Sequence, residues 1–129
     1  MRLLLDTHIW LWSMLEPERL GPRVQRELKE ADNEVWLSPI SAWEVLTLSA
    51  KRKLRLQWDV SEWVALAVRP FREAPLTHEI ALATRQLQFM HQDPADRFLA
   101  ATAKVLDLTL VTADARLLGL GEIATLGNR

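Results

Sequence analysis

The segment Leu3-Leu4-Leu5-Asp6-Thr7-His8-Ile9-Trp10 contains the clearest strand-to-helix pattern in the sequence. The residues up to Leu5 form a short, almost wholly apolar run, which is typical of a buried strand. Asp6-Thr7 ends that run and supplies an N-cap, so we predict a helix from His8 to about Leu15. The Asp6 carboxylate would then lie at the carboxyl end of a buried strand.

The same change from strand to helix recurs along the chain. Strands are predicted at Glu34 to Leu37 and Thr109 to Thr112, and weaker strand patterns lie within Phe71 to Leu76 and Ile123 to Leu126. Helical patterns cover Arg23 to Ala31, Ile40 to about Arg52, Val60 to Val68, Thr77 to about Phe89, and the segment after Asp93-Pro94. This alternation predicts an α/β fold of three layers, with a mostly parallel central sheet and helices on both faces.

Length and composition indicate one globular domain over residues 1–129. The chain is 49% hydrophobic and 26% charged, which suits a single core. Its net charge of -1 gives no general attraction to nucleic acid. If four carboxylates cluster in one site, the remainder of the chain carries +3, which would attract phosphates mildly around an acidic pit.

The absence of cysteine limits the kind of metal site, and the short apolar runs argue against a signal peptide and a membrane span. With no cysteine, any metal would need oxygen or imidazole ligands. Asp6 and His8 interrupt the apolar start, so we interpret it as a strand and a helix rather than a signal peptide. No run reaches the roughly 18 apolar residues of a membrane span, and we expect a cytoplasmic protein.

Four acidic residues are placed where a site could form. Asp6 and Asp114 follow predicted strands, Glu44 lies in an apolar helix, and Asp96 begins another helix. For each Asp alone, helix capping is the simpler interpretation. Asp93 and Asp96, three apart across Pro94, would make a capping arrangement of their own.

Taken together, the four acids favour a site. The carboxyl ends of parallel strands open onto one crevice, where these carboxylates could meet. Such a cluster is electrostatically costly unless divalent cations neutralise it. Mg²⁺ prefers oxygen ligands, and it can activate water for phosphodiester cleavage. The sequence contains no Gly-rich phosphate loop and no dinucleotide fingerprint.

Four motifs in this order resemble the PIN domain, specifically the VapC toxins of bacterial and archaeal toxin–antitoxin pairs. They are Leu-Leu-Leu-Asp6-Thr-His-Ile-Trp, Ser38-Pro-Ile-Ser-Ala-Trp-Glu44, Asp93-Pro-Ala-Asp96-Arg-Phe-Leu-Ala-Ala-Thr-Ala and Leu110-Val-Thr-Ala-Asp114. Each motif alone is weak. Together they span nearly the whole chain and make the resemblance specific.

The resemblance implies an activity and a set of residues. Asp6, Glu44, Asp96 and Asp114 would be the catalytic acids and would bind Mg²⁺ or Mn²⁺. Supporting roles would fall to Thr7, to Asp93 and to Thr112, the last through a hydroxyl hydrogen bond. The implied protein is an endoribonuclease that uses metal-activated water and leaves a 5′-phosphate and a 3′-hydroxyl. A homodimer inhibited by a VapB-like antitoxin is implied as well.

Several features have competing interpretations. Arg97 could position RNA or pair with a neighbouring acid. Lys51-Arg52-Lys53 with Arg55 could hold phosphates, although cations at a helix C-terminus are ordinary dipole partners. Six tryptophans could stack on bases, but those in apolar helical patterns are interpreted as core or interface residues. These four are Trp10, Trp12, Trp43 and Trp63.

Two rival functions remain open. Histidines 8, 78 and 91 could support a metal-free ribonuclease, although they are scattered along the sequence. A non-catalytic α/β interaction domain could instead bind Mg²⁺ in the acidic pocket, but the expected lysine does not follow Leu110-Val-Thr.

Overall fold

Five parallel strands form one sheet in the residues that the computed structural model describes, 1–88 and 93–129. The strands are β1 (Arg2–Leu5), β2 (Glu34–Leu37), β3 (Arg72–Glu73), β4 (Thr109–Thr112) and β5 (Thr125–Gly127). Seven α-helices lie in the same described ranges: α1 (Thr7–Leu15), α2 (Pro22–Lys29), α3 (Pro39–Ala50), α4 (Val60–Ala67), α5 (His78–Ala83), α6 (Pro94–Leu106) and α7 (Ala115–Leu118). The predicted α/β class and parallel sheet are confirmed.

The first strand lies at the centre of the sheet. The strand order is β3-β2-β1-β4-β5, so β1 pairs with β2 on one side and with β4 on the other. Leu4 lies opposite Trp36 and Leu110, and Leu5 lies opposite Val111. Since chain order reverses between β1 and β4, their carboxyl ends flank the crevice where parallel sheets commonly bind ligands. β5 overlaps the weak strand pattern within Ile123 to Leu126 and lies at the edge of the sheet.

The apolar run of β1 feeds two separate cores because successive strand side chains point to opposite faces. Leu3 and Leu5 pack with residues of α1 to α4, whereas Leu4 packs with residues of α5 to α7. All three leucines are fully buried. Helices therefore cover both faces of the sheet, which explains why a four-residue strand without alternating polarity is stable at this position.

One predicted helix is shorter than its pattern suggested. The pattern predicts a helix to about Phe89, yet α5 ends at Ala83. The chain then tightens into three-residue turns, with Arg85 N–H donating to Leu82 O and Gln86 N–H donating to Ala83 O. The expected end at Phe89 lies outside the described residues.

The tryptophans divide between the core and the surface. Trp10 is fully buried, donates through Nε1 to Ala67 O at 3.1 Å, and lies 5.5 Å from the Trp63 ring. Trp12 is half-buried against the same core. Trp43 is 53% exposed, so its placement in the core is wrong and its role in an interface stays a prediction. Among the described helices, none combines the length and apolarity that crossing a membrane requires.

Candidate active site

Asp6 follows β1 and is the N-cap of α1, and both of its carboxylate oxygens accept hydrogen bonds. Its N–H extends the sheet by donating to Val111 O at 3.0 Å. Asp6 Oδ1 accepts from Thr7 N–H at 2.7 Å, and Oδ2 accepts from the Thr112 hydroxyl at 2.6 Å. Only 8% of Asp6 is exposed. The acid is therefore fixed in a nearly buried position between the central strand and its neighbour.

Thr112, the last residue of β4, links two of the acids. Its fully buried hydroxyl donates to Asp6 and accepts from Asp114 N–H at 3.0 Å. Asp114 is the N-cap of α7, and its Oδ1 accepts from Arg116 N–H at 2.8 Å. The Arg116 guanidinium also pairs with Asp114 Oδ2 at 3.0 Å. One hydroxyl thus sets the spacing of the loops that carry Asp6 and Asp114.

Glu44 is presented by the apolar helix α3. Ser38 caps that helix, with its hydroxyl accepting from Ile40 N–H at 3.0 Å. Further along, the buried Ser41 hydroxyl lies 2.9 Å from the Thr7 hydroxyl and joins α3 to α1. Glu44 is half-buried and lines the same cavity as Asp6. It therefore lies on the side of α3 that faces the other acids.

The two acids at the start of α6 have different structural roles. Asp93 is the N-cap, and its Oδ1 accepts from Ala95 N–H at 2.9 Å and Asp96 N–H at 3.3 Å. Asp96 lies in the first turn and is only 8% exposed. Capping therefore explains Asp93, whereas burial beside other carboxylates gives Asp96 a different environment.

A cavity of about 550 Å³ brings these acids together. Its acidic lining residues are Asp6, Glu44, Asp93, Asp96 and Asp114. The four acids singled out in the sequence thus share one cavity, although their metal and catalytic roles stay predictions. The other lining residues are His8, Trp12, Arg19, Ala113 and Arg116.

Burial in the cavity disfavours the ionised forms of two acids, Asp6 and Glu44. Burial raises the pKa of Asp6 above 3.8, opposed by its hydrogen bonds from Thr112 and Thr7. Burial also raises the pKa of Glu44 above 4.5, opposed by a Thr7 hydrogen bond and reinforced by the charges of Asp93 and Asp6. The pKa of Arg116 is raised, chiefly by its hydrogen bond with Asp114 and further by the charges of Asp114, Asp96 and Asp93. A cation in the cavity would therefore be stabilised.

The donor set suits a hydrated hard cation. Within residues 1–88 and 93–129, no group of three or more His, Asp or Glu side chains is arranged to hold a metal ion directly. Mg²⁺ commonly keeps several waters and uses one or two protein carboxylates. The carboxylate oxygens that line this cavity fit that mode of binding better than a closed protein cage.

The described basic side chains that line the cavity do not include Arg97, which the sequence suggested for positioning RNA. Arg97 Nη1 donates to Thr84 O at 3.1 Å, and Arg97 is not among the described residues that line the cavity. Arg19 and Arg116 line it instead, together with His8. For Arg116 a sequence signal existed, since it lies two residues after Asp114. No sequence signal pointed to Arg19, because it reaches the cavity through a 3₁₀ turn over Pro17–Arg19.

Comparison with known families identifies the family of this chain. Residues 3–123 match the model of the PIN domain. The chain belongs to the PIN-domain family. This PIN domain is 32% identical over 115 residues to "Ribonuclease VapC22" of Mycobacterium tuberculosis, with 88% of each chain covered. The VapC-type resemblance drawn from the four motifs is confirmed.

Solved structures show the same fold. The PIN domain superposes with a TM-score of 0.75 and 15% identity on a chain of VapBC2 from Rickettsia felis bound to a promoter DNA fragment, covering 98% of both chains. For DNA-bound VapBC from Salmonella typhimurium the TM-score is 0.73 at 16% identity, covering 100% of this chain and 99% of that one. At these identities the similarity establishes the fold alone.

Proposed function

We propose that this PIN domain is a metal-dependent endoribonuclease and the toxin of a toxin–antitoxin pair. The observation that carries the proposal is the meeting of Asp6, Glu44, Asp96 and Asp114 in one cavity at the carboxyl ends of β1 and β4. The ribonuclease relative supports the reaction class. We take residues 1–129 as one domain that acts in the cytoplasm.

The acids would hold Mg²⁺ or Mn²⁺ through carboxylate oxygens and ordered waters. Asp6, Asp96 and Asp114 are the principal candidates, with Glu44 completing the set. Bound there, the divalent cation would activate a water and stabilise negative charge on the cleaved phosphate. Cleavage of that kind leaves a 5′-phosphate and a 3′-hydroxyl.

The chain's own residues prepare the cavity for an anionic substrate. Thr112 and Thr7 fix the Asp6 carboxylate from both oxygens, so it needs little reorganisation when a ligand arrives. Burial raises the pKa of Glu44 above 4.5, which makes this carboxylate a better proton acceptor than an exposed glutamate. Arg19 and Arg116 place positive charge at the lining, which offsets repulsion between the acids and a phosphate.

The proposed partners are an antitoxin and a second copy of the chain. The solved neighbours are VapBC complexes, so a VapB-like antitoxin is the proposed inhibitor. A homodimer is proposed on the resemblance to VapC toxins. The substrate would be RNA.

A metal-free mechanism with two histidines has less support. His8 lines the acidic cavity, whereas His78 begins α5 and is not among the described lining residues. His91 lies outside the described residues. A pair of cooperating histidines therefore has no observed basis in the part of the chain described, and the buried carboxylates favour cation chemistry.

Toxicity in a bacterial host tests the proposal. Induced production of the wild-type protein should arrest growth with RNA cleavage, and Asp6→Asn should abolish both effects. Asp59→Asn is the matched control, because Asp59 caps α4 away from the cavity and Asn also caps well. Equal toxicity of the wild type and Asp6→Asn would contradict the assignment of Asp6.

A further inference from the structure

A second cavity adjoins the acidic one and shares three of its lining residues. It has a volume of about 370 Å³. His8, Trp12 and Arg19 line both cavities and so form their common wall. The remaining lining is mostly apolar, with one cation and one acid: Leu11, Leu15, Leu48, Leu54, Lys53 and Glu16. An extended ligand could therefore occupy both cavities at once.

The common wall is an aromatic ring flanked by a cation. The Arg19 guanidinium lies 4.4 Å from the centroid of the Trp12 ring, and the His8 ring lies 6.0 Å from it. Glu16 Oε2 accepts from Arg19 Nη1 at 3.2 Å, so the acid of this cavity is already paired. Because Trp12 also packs against the core, the position of its ring is fixed by the fold.

We infer that Trp12, Arg19 and His8 form a stacking subsite for a nucleobase of single-stranded RNA, one that neighbours the scissile phosphate. This inference rests on the proposed ribonuclease function. Each base has a flat π-face that stacks on aromatic rings and guanidinium planes, whatever its sequence. Lys53 supplies positive charge for the adjoining phosphate.

The position of this wall favours RNA over a protein segment as its ligand. A strand with its phosphate among the acids of the first cavity would carry the next base directly past Trp12. A wholly apolar peptide would use the leucines of the second cavity but would leave the acids of the first without a counter-charge. Glu16 and Arg19 offset each other, so Lys53 leaves the charge of the second cavity positive, which suits a polyanion.

Binding without metal tests the subsite independently of cleavage. We would measure, in EDTA, the affinity of labelled oligouridylate and of the same ribose-phosphate chain lacking its bases. The wild type should prefer the base-containing chain by about tenfold. Trp12→Leu keeps apolar packing but removes the aromatic face, so it should bind both chains alike. Trp12→Phe should restore the preference.

Trp58→Ala is the matched control, because Trp58 is 55% exposed in the segment before α4 and lines neither cavity. It should behave as the wild type. A wild type that binds both chains equally, or a preference that survives in Trp12→Leu, overturns the subsite. Equal weakening of both chains in Trp12→Leu and Trp12→Phe would also overturn it, by showing a purely structural role. Base preference without any RNA cleavage would instead refute the proposed function and leave the subsite standing.

Discussion

Replacing Thr112 by Val should remove the hydrogen bonds that link Asp6 and Asp114 while leaving the shape of the core intact. Val has nearly the same shape as Thr but lacks the hydroxyl that donates to Asp6 Oδ2 at 2.6 Å and accepts from Asp114 N–H at 3.0 Å. A buried hydrogen bond to a charged group contributes about 1.5–3 kcal/mol, and a neutral one about 1 kcal/mol. We therefore expect the free energy of unfolding to fall by about 2–4 kcal/mol at neutral pH.

The loss should depend on pH in a definite direction. The Thr112 hydrogen bond favours ionised Asp6, whose pKa is nonetheless raised above 3.8 by burial. As the pH falls through that raised pKa, Asp6 becomes protonated and the charge-assisted part of the loss disappears. The stability difference between wild type and Thr112→Val should therefore shrink in acid.

Urea denaturation of the metal-free proteins measures this difference. Thr112→Ser is the control, because it keeps the hydroxyl and deletes a buried methyl group, at a cost of about 1 kcal/mol. Ser should retain RNA cleavage, whereas Val should lose most of it because Asp6 is no longer fixed. A Val variant as stable and as active as the Ser variant would refute this account of Thr112.

Three further predictions concern metal binding, the two acids at the start of α6, and Glu44. Millimolar Mg²⁺ or Mn²⁺ should raise the melting temperature of the metal-free protein, because a cation that binds only the folded cavity stabilises it; Asp6→Asn should abolish that shift in calorimetry. Asp93→Ala should lower the free energy of unfolding by about 1 kcal/mol as a lost N-cap and keep much of the cleavage rate. Asp96→Asn should lose cleavage and keep the metal-free melting curve of the wild type. An Asp96→Asn variant that unfolds while keeping activity in proportion to its folded fraction would contradict this. Since burial raises the pKa of Glu44 above 4.5, the wild type should lose stability relative to Glu44→Gln as the pH rises through that raised pKa. The two should converge in acid, and parallel stability–pH curves would count against the shift.

The sequence predicted those features that depend on local patterns. The apolar run ending at Asp6 predicted β1, because a short apolar run that stops at a capping residue is typical of a buried strand. Capping chemistry located the starts of several helices, and Asp6, Asp93 and Asp114 each accept a bond from the following turn. The order of strands and helices then sufficed to place two strand ends at one crevice.

Features that depend on distant parts of the chain were not predictable in this way. Arg19 reaches the acidic cavity only because the turn at Pro17–Arg19 follows α1. Arg97, next to Asp96 in sequence, donates to Thr84 O. Trp12 lies in an apolar pattern that predicted burial, yet it lines two cavities because both adjoin α1. Periodicity identifies a face of a helix but does not show what lies against it.

Cleavage of RNA by the purified protein, measured with and without a chelator, is the most direct test of metal-dependent ribonuclease activity. We expect cleavage in Mg²⁺ or Mn²⁺ that EDTA abolishes and that added divalent cation restores. Asp6→Asn should lack this cleavage, and Asp59→Asn should retain it. Cleavage that persists in EDTA would contradict this expectation in favour of a metal-free mechanism. No cleavage under any condition would contradict it in favour of a non-catalytic domain.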